Sequence, residues 1–456
     1  MMDIFAAVVV IATFYFIVKG AEVRLALLGA GAVLALAAMK PAAWFTAFAN
    51  SMAQAGLLTV ILPAIGFTAV VKFAKCDQHL VRLAVGPLLS MRAVVIPAAV
   101  LVTLALSTAI TSAAGITAAV GVVLIPAMIG LGIHPAMAAA AVIAGTWGAC
   151  FSPGSPHPAL ISDIAKVPVI EVIIAHLKAS LPAALTMAFL LYLVARVTGE
   201  DRGWTPERAG ATQKADSDAT AGAPAGAPAT APAAAVAGGN GNGAAAEPIN
   251  LALAAMPILP LFLLVLTVPQ LGLTTEWLPK GMSVLQAMVI GTVVTAIVAR
   301  LSPAKVVKGF FDGMGEAYSG VIGIIIAAGV FIGGLNAIGS IERMIDMLKD
   351  AQSAAPVVAM IGTFGIAVLS GSGDAAAIAF TKAVLPHAAQ LGITTVDLGN
   401  IAWLGGGLGR AMSPVAAATA IAAGYAGVTV FAIAKRTAGP AIAAAIVVVV
   451  ILGFLV

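Results

Sequence analysis

The chain states one unusual pattern twice, about 260 residues apart, inside sequence apolar enough for a membrane. Residues 125–133 read IPAMIGLGI and residues 385–393 read LPHAAQLGI, so Pro126, Leu131, Gly132 and Ile133 recur as Pro386, Leu391, Gly392 and Ile393. A polar break precedes each run at the same offset, TSAAG at 111–115 and GSGDA at 371–375. A Gly-rich segment ending in Ser-Pro follows each, GTWGACFSP at 145–153 and GGGLGRAMSP at 405–414. Breaks at corresponding places in two apolar halves are the pattern of discontinuous membrane helices that build a transporter's binding site.

Composition narrows the class. Of 456 residues, 61% are apolar and 9% charged, with a mean hydropathy of +1.09, where a soluble domain carries roughly 25% charge. The chain reads as an all-α polytopic membrane protein. The net charge of +4 is gathered in particular loops, which reports topology rather than nucleic-acid binding. Cys76 and Cys150 supply neither a disulfide framework nor metal-ligand spacing and read as packing residues. No Ser-His-Asp order, HExxH or phosphate loop occurs, so enzyme chemistry has no support. Residues 4–18 have no basic region before them and no small-residue cleavage site after them, so they do not read as a cleavable signal.

A membrane-spanning helix needs about 20 mostly apolar residues. Candidate spans lie near 4–18, 25–39, 54–72, 136–165 and 179–198, and again near 251–270, 282–299, 317–337, 398–425 and 438–456. Segments 93–131 and 356–390, each split by a polar break, read as re-entrant hairpins, which are tolerated only where backbone is buried or lines a cavity. With five crossings per half, Lys19, Arg24, Lys72, Lys75, Arg82, Arg92, Arg196, Arg300, Lys305, Lys308, Lys435 and Arg436 fall on one side, as do Arg202, Arg208 and Lys214 of the linker. Lys40, Lys166, Lys178, Lys280, Arg343 and Lys349 fall on the other. The positive-inside rule makes the first side cytoplasmic and places both termini in the periplasm of a bacterial inner-membrane protein.

Five is odd, so the second repeat is inverted relative to the first. The first repeat is expected over 1–198, with scaffold helices in 1–92, a hairpin and broken helix in 93–165 and a last helix in 166–198. The second covers 249–456, with scaffold helices in 249–345, a hairpin and broken helix in 356–425 and a last helix in 426–456. Between them, 199–248 is Ala/Pro/Gly/Asn-rich and reads as a flexible cytoplasmic linker.

An interrupted helix offers N–H groups to an anion at one end and carbonyls to a cation at the other. Candidate substrate groups are Ser112 at the first tip, Ser152 and Ser155 in the SPGSPHP break, Ser372 at the second tip, and Arg410 and Ser413 in the second break. Candidate coupling-ion groups are Thr111, Asp374, Gly406 and His157, with sodium near Asp374 or a proton as the ion. A charge at the bilayer centre costs about 2.5–3.5 kcal/mol on insertion scales, so Asp374 and Arg410 are expected to face a polar cavity unless they pair with each other. The guanidinium fork suits a carboxylate. His157 is either a proton-coupling group or a loop histidine that hydrogen-bonds locally. Lys382 is expected to snorkel to the outer interface, and His79, His134, His176 and His387 to sit near interfaces.

At these residues the chain resembles a known family. The run GSGDAAAIAF at 371–380 and LGRAMSPVAAATAIAAGYAGVTVFAIAKRT at 408–437 are similar to the DcuC family of bacterial C4-dicarboxylate carriers, and TSAAG, IPAMIGLGI and the first Ser-Pro segment look like that family's first repeat. The resemblance implies membership of the ion transporter superfamily, with paired hairpins, a scaffold domain that often dimerises, and a transport domain that moves as an elevator. It implies succinate, fumarate or malate as substrate, exchanged or moved with protons or sodium, and no cofactor. The chain departs from the family pattern with Asp374 at the second tip, in place of Asn, and with His157 in the first break, in place of an acidic residue. A sodium/proton antiporter, a carrier of another small carboxylate and a passive anion channel are the competing readings. Arg410, which a cation antiporter need not place beside its site, and the alternating-access pattern of inverted repeats favour the carboxylate carrier.

Overall fold

The computed structural model describes residues 2–19, 21–88, 94–204, 248–267, 282–349 and 354–455, and the regular elements among them are all helices. The first half opens with α1 (Met2–Val18), α2 (Val23–Ala37), α3 (Ala42–Met52), α4 (Ala55–Phe73) and α5 (Cys76–Leu88). Helices α6 (Val95–Leu106) and α7 (Ala113–Gly130) flank the first polar break. An interrupted span follows: α8 (Pro135–Ala144), a 3-10 segment (Thr146–Phe151) and α9 (Pro156–Ala165), before α10 (Val169–Thr198).

In the second half, α11 (Leu251–Ala255) passes through a 3-10 turn into α12 (Leu259–Leu266), followed by α13 (Val284–Val298). Helix α14 (Pro303–Ala317) continues through a π turn (Tyr318–Ile322) into α15 (Gly323–Ile338), and α16 (Ser340–Lys349) follows. Helices α17 (Ala355–Ser370) and α18 (Gly373–Val384) flank the second break, and a 3-10 segment (Leu385–Leu391) leads to α19 (Thr395–Met412), α20 (Ala417–Ala426) and α21 (Val430–Phe454). Among the described residues six helical stretches, 55–73, 113–130, 135–165, 169–198, 303–338 and 430–454, are long and apolar enough to cross a membrane.

The duplicated words have local causes. Ser112 caps α7 by accepting from Gly115 N at 3.1 Å, and Ser372 caps α18 by accepting from Ala375 N at 3.3 Å. The repeated Leu-Gly-Ile ends each hairpin arm with glycine in the left-handed region, φ +89° at Gly132 and +70° at Gly392, a conformation that costs glycine nothing. Proline opens α8, α9 and α14 at positions whose N–H has no helical partner.

Three apolar cores result. The largest joins α5–α10 to α17–α21 through residues such as Leu124, Met137, Ile143, Leu191, Leu404 and Val448. A second joins α1, α2, α4 and α15 around Leu27, Leu34, Ile61, Ile325 and Phe331, and it receives Ala159 and Leu160 of α9 and Ile378 and Ala379 of α18. A third packs Phe67 of α4 on Met256, Leu264 and Met288. Helices α9 and α18 therefore sit on the boundary between the large core and the second one. Ile4, Phe45, Phe189, Phe262 and Phe431 are exposed outside these cores, as expected of side chains that meet lipid rather than water.

The structure corrects several sequence-based boundaries. The expected span 317–337 is the end of a helix that starts at Pro303, whose amphipathic first half hides it from a hydropathy window. The span expected from 179 begins at Val169, and α3 and α5 are additional helices too short to register as spans. Cys76 opens α5 and is buried. Most of the expected linker, 205–247, lies outside the described residues. Its first residues pack: Glu200 pairs with Arg436 of α21, its carbonyl accepts from His134 N, and Trp204 N donates to Gly132 O.

Candidate functional site

Both tips and both interrupted spans meet at one cavity of about 660 Å³. Four helix N-termini border it: α7 through Ala113 and Ala114, α9 through Ser155 and Pro156, α18 through Gly373 and Asp374, and α20 through Ala416 and Ala417. The ends of α7, α18 and α20 carry unpaired N–H groups, α9 has prolines at 156 and 158 and contributes mainly its dipole, and each end carries a partial positive charge of roughly half an elementary unit, so their convergence favours an anion. The opposite wall comes from α4 (Thr68, Ala69, Lys72) and from the π turn region (Glu316, Gly320, Val321). Lys72 and Glu316 are exposed and form the rim. Lys72 lies in the last turn of α4, and nearby His79 Nδ1 accepts from Asn250 N, so the rim shares a side with the end of the linker.

Arg410, in the last turn of α19, lines the cavity. Its Nη2 donates to the Thr146 carbonyl at 3.1 Å, which fixes the side chain, while its Nε is buried without a protein partner. The Asp374 side chain is 58% exposed toward the cavity, and its Oδ1 lies 3.9 Å from His157 Nδ1. Among the described residues no ion pair within 4 Å joins Asp374 to Arg410. The His157 ring is 1% exposed, stacks on Trp403 at 5.2 Å and 10°, and has no hydrogen-bond partner at either nitrogen. It is a buried first-turn residue of α9, not a loop histidine.

The candidate residues separate into two groups. Thr111, Ser112, Ser155, Ser372, Asp374 and Arg410 line the cavity together. Ser152, Ser413, Gly406 and His157 do not. Ser152 borders a smaller neighbouring pocket with Thr111 and Pro153. Ser413 is fully buried and bonds Val368 O at 2.7 Å, while its carbonyl accepts from Thr419 at 2.8 Å, so it holds the break in shape. Gly406 backs onto the second tip, where an added Cβ would lie 2.5 Å from Gly373 O. Backbone proximity requires a glycine at that position.

Two more expectations are corrected. His176 is fully buried, between Ser180 Oγ at 2.9 Å and Cys150 O at 3.1 Å, with its ring edge on Trp403. Lys382 does not extend freely as a snorkelling side chain would: Nζ donates to Ile325 O at 3.1 Å and lies 3.4 Å from Ser51 Oγ. Sequence reasoning missed Trp147, Trp403, Lys72 and Glu316 as cavity residues. Trp147 sits inside the Gly-rich run at 145–153 and Trp403 two residues before the one at 405–414, and that proximity was the available signal. Among the described residues no cluster of three His, Cys, Asp or Glu side chains is placed to hold a metal ion.

Interrupted helices around a buried, charge-bearing cavity in an all-helical apolar chain define a multi-pass membrane transporter and not an enzyme. The chain belongs to the DcuC family: the family model described as C4-dicarboxylate anaerobic carrier matches residues 37–456. An uncharacterized transporter of Haemophilus influenzae is 36% identical over 289 residues, covering 63% of this chain and 94% of that protein. The anaerobic C4-dicarboxylate transporter DcuC of Escherichia coli K12 is 31% identical over 184 residues, covering 38% of this chain and 40% of that protein. Among solved structures, the YdaH transporter of Alcanivorax borkumensis aligns over 90% of this chain and 87% of its own, with a TM-score of 0.52 at 17% identity. That likeness concerns the fold alone.

Proposed function

We propose that the protein is a secondary active transporter of C4-dicarboxylates such as succinate, fumarate and malate, working in a bacterial inner membrane by exchange or with a coupling proton or sodium ion. The observation that carries this reading is the convergence of four helix N-termini and Arg410 on one cavity. Arg410 takes one carboxylate through its fork, and the capped tips at Ser112 and Ser372, with Ser155, take the other through N–H groups and hydroxyls. Asp374 holds the coupling cation, which removes its repulsion of a dianion. A cavity of this size accommodates a four-carbon diacid with attendant water.

The parallel order of elements supports two inverted repeats: α2 packs on α15 as α13 packs on α4. On this reading α2–α4 and α13–α15 belong to a static scaffold that also offers a surface for a homodimer, and the hairpins with the broken helices move as an elevator. The basic-residue asymmetry supports a cytoplasmic linker and periplasmic termini. The test is counterflow in proteoliposomes preloaded with unlabelled succinate. Transient accumulation of labelled succinate without an ion gradient is expected; its absence in sealed vesicles containing inserted protein sinks the dicarboxylate reading and favours a cation antiporter or another carboxylate.

A further inference from the structure

Helix α18 carries the cavity tip at its start and a second polar contact two turns further on. There Lys382 Nζ reaches out of the large core to Ile325 O of α15 and Ser51 Oγ of α3, at 3.1 and 3.4 Å. The socket is shaped for this contact. Ser51 is buried, and a Cβ on Gly329 of α15 would lie 1.9 Å from Ser51 Oγ and 3.1 Å from Lys382 Nζ. Asp163 of α9, the acidic group that acts on this ammonium, lies 3.5 Å from Lys166. An ammonium held within a membrane protein by a hydroxyl and a carbonyl is expensive to maintain and calls for a role.

The packing around it is one-sided. Helix α18 packs on α15 and α9 packs on α4, whereas among the described residues neither α7 with α4 nor α20 with α15 makes a comparable contact. In a duplicated fold, exchange of the two halves' roles generates a second arrangement, in which those absent contacts form and the present ones break. The contact at Lys382 has no equivalent there. Counting by the offset that relates Ser112 to Ser372, Lys382 corresponds to Val122, an apolar residue.

We propose that Lys382 is a latch that holds α18 to α3 and α15 in the arrangement whose cavity opens on the Lys72 side, and that it must release before the hairpin slides to expose the cavity on the other side. Because only one hairpin carries it, the latch biases the resting population toward one side. This inference rests on the reading of the hairpins as moving elements, and not on the identity of the substrate.

The test reads accessibility. Ala417 is exposed on the cavity wall, and the native Cys76 and Cys150 are buried. In the full chain carrying Ala417→Cys, in membrane vesicles of known orientation, labelling by an impermeant maleimide is timed from the Lys72 side. Lys382→Met is expected to slow labelling by about tenfold, and Lys382→Arg to restore most of it, as expected if a single contact biases two populations. Gly329→Ala, acting from the other side of the contact, should slow labelling to a similar extent, and the double variant should add little, because both changes remove one interaction. Unchanged labelling in Lys382→Met and Gly329→Ala at matched amounts of monodisperse protein overturns the latch, as do fully additive effects. If either variant fails to fold, the other decides alone. Loss of wild-type succinate counterflow with the labelling shifts intact removes the dicarboxylate reading and leaves the latch standing.

Discussion

The two hairpins share a geometry and differ in chemistry. Both start their second arm with a capping serine, Ser112 and Ser372, and both deliver that arm's N-terminus to the same cavity. Yet the residue two places beyond the cap is Ala114 in the first and Asp374 in the second, and Val122 stands where the second has Lys382. Arg410 likewise precedes the second Ser-Pro by three residues where the first break has Ala149. The two halves share a frame of helix ends, while Asp374, Lys382 and Arg410 have uncharged counterparts in the first half. On the proposed reading these three residues give the site its preference for a diacid and make its two openings unequal.

The comparison breaks first at Arg410. Arg410→Ala should lower succinate counterflow efficiency by about 100-fold, the loss of charge-assisted hydrogen bonds in a buried site, and Arg410→Lys should recover only part of it. Unchanged counterflow at equal expression removes Arg410 from the anion site. Next, Ala114→Asp gives the first tip the second tip's charge. One more carboxylate on the wall of a site that takes a dianion repels it, and apparent affinity should weaken by about tenfold. A neutral result would mean that the first tip does not face the substrate.

The shared frame is sharpened by Ser112→Ala and Ser372→Ala, which each remove a cap worth about 1 kcal/mol. Each should raise the apparent succinate KM about fivefold, and markedly unequal shifts would show that the tips are not equivalent in binding. Ser413→Ala, at a serine that faces Val368 instead of the cavity, should cost about 1 kcal/mol of thermal stability in detergent with KM within about twofold. The smallest effect belongs to the rim: Lys72→Gln should reduce uptake by about twofold at low ionic strength and not at all at high salt.

Much of the frame was legible in the sequence because helix breaks must be written locally. The left-handed glycines Gly132 and Gly392 and the capping serines act on their own neighbours, so the recurrences pointed to the cavity's location. What the sequence could not reveal depends on partners far along the chain. Ser413 and Ser372 are both serines at breaks, and only the approach of α17 decides that Ser413 turns to Val368 while Ser372 faces the cavity. Lys382 resembles an interfacial lysine until Ser51, 331 residues earlier, is placed beside it. Helix α14 escaped notice for another reason: Lys305, Lys308, Asp312 and Glu316 dilute its hydropathy below that of a span.

That helix has a consequence for how solutes arrive. Running unbroken from Pro303 to Ile338, it is about 54 Å long at 1.5 Å per residue, well beyond a hydrocarbon layer of about 30 Å. With the apolar second half filling that layer, the polar first half, which carries Lys305 and Lys308, extends beyond it on the side of the rim formed by Glu316 and Lys72. On the proposed reading the cavity is then approached past a charged collar near the lipid headgroups, where the local concentration of an anion follows surface potential rather than bulk concentration. Lipid composition, acting on that layer, would be a determinant of flux.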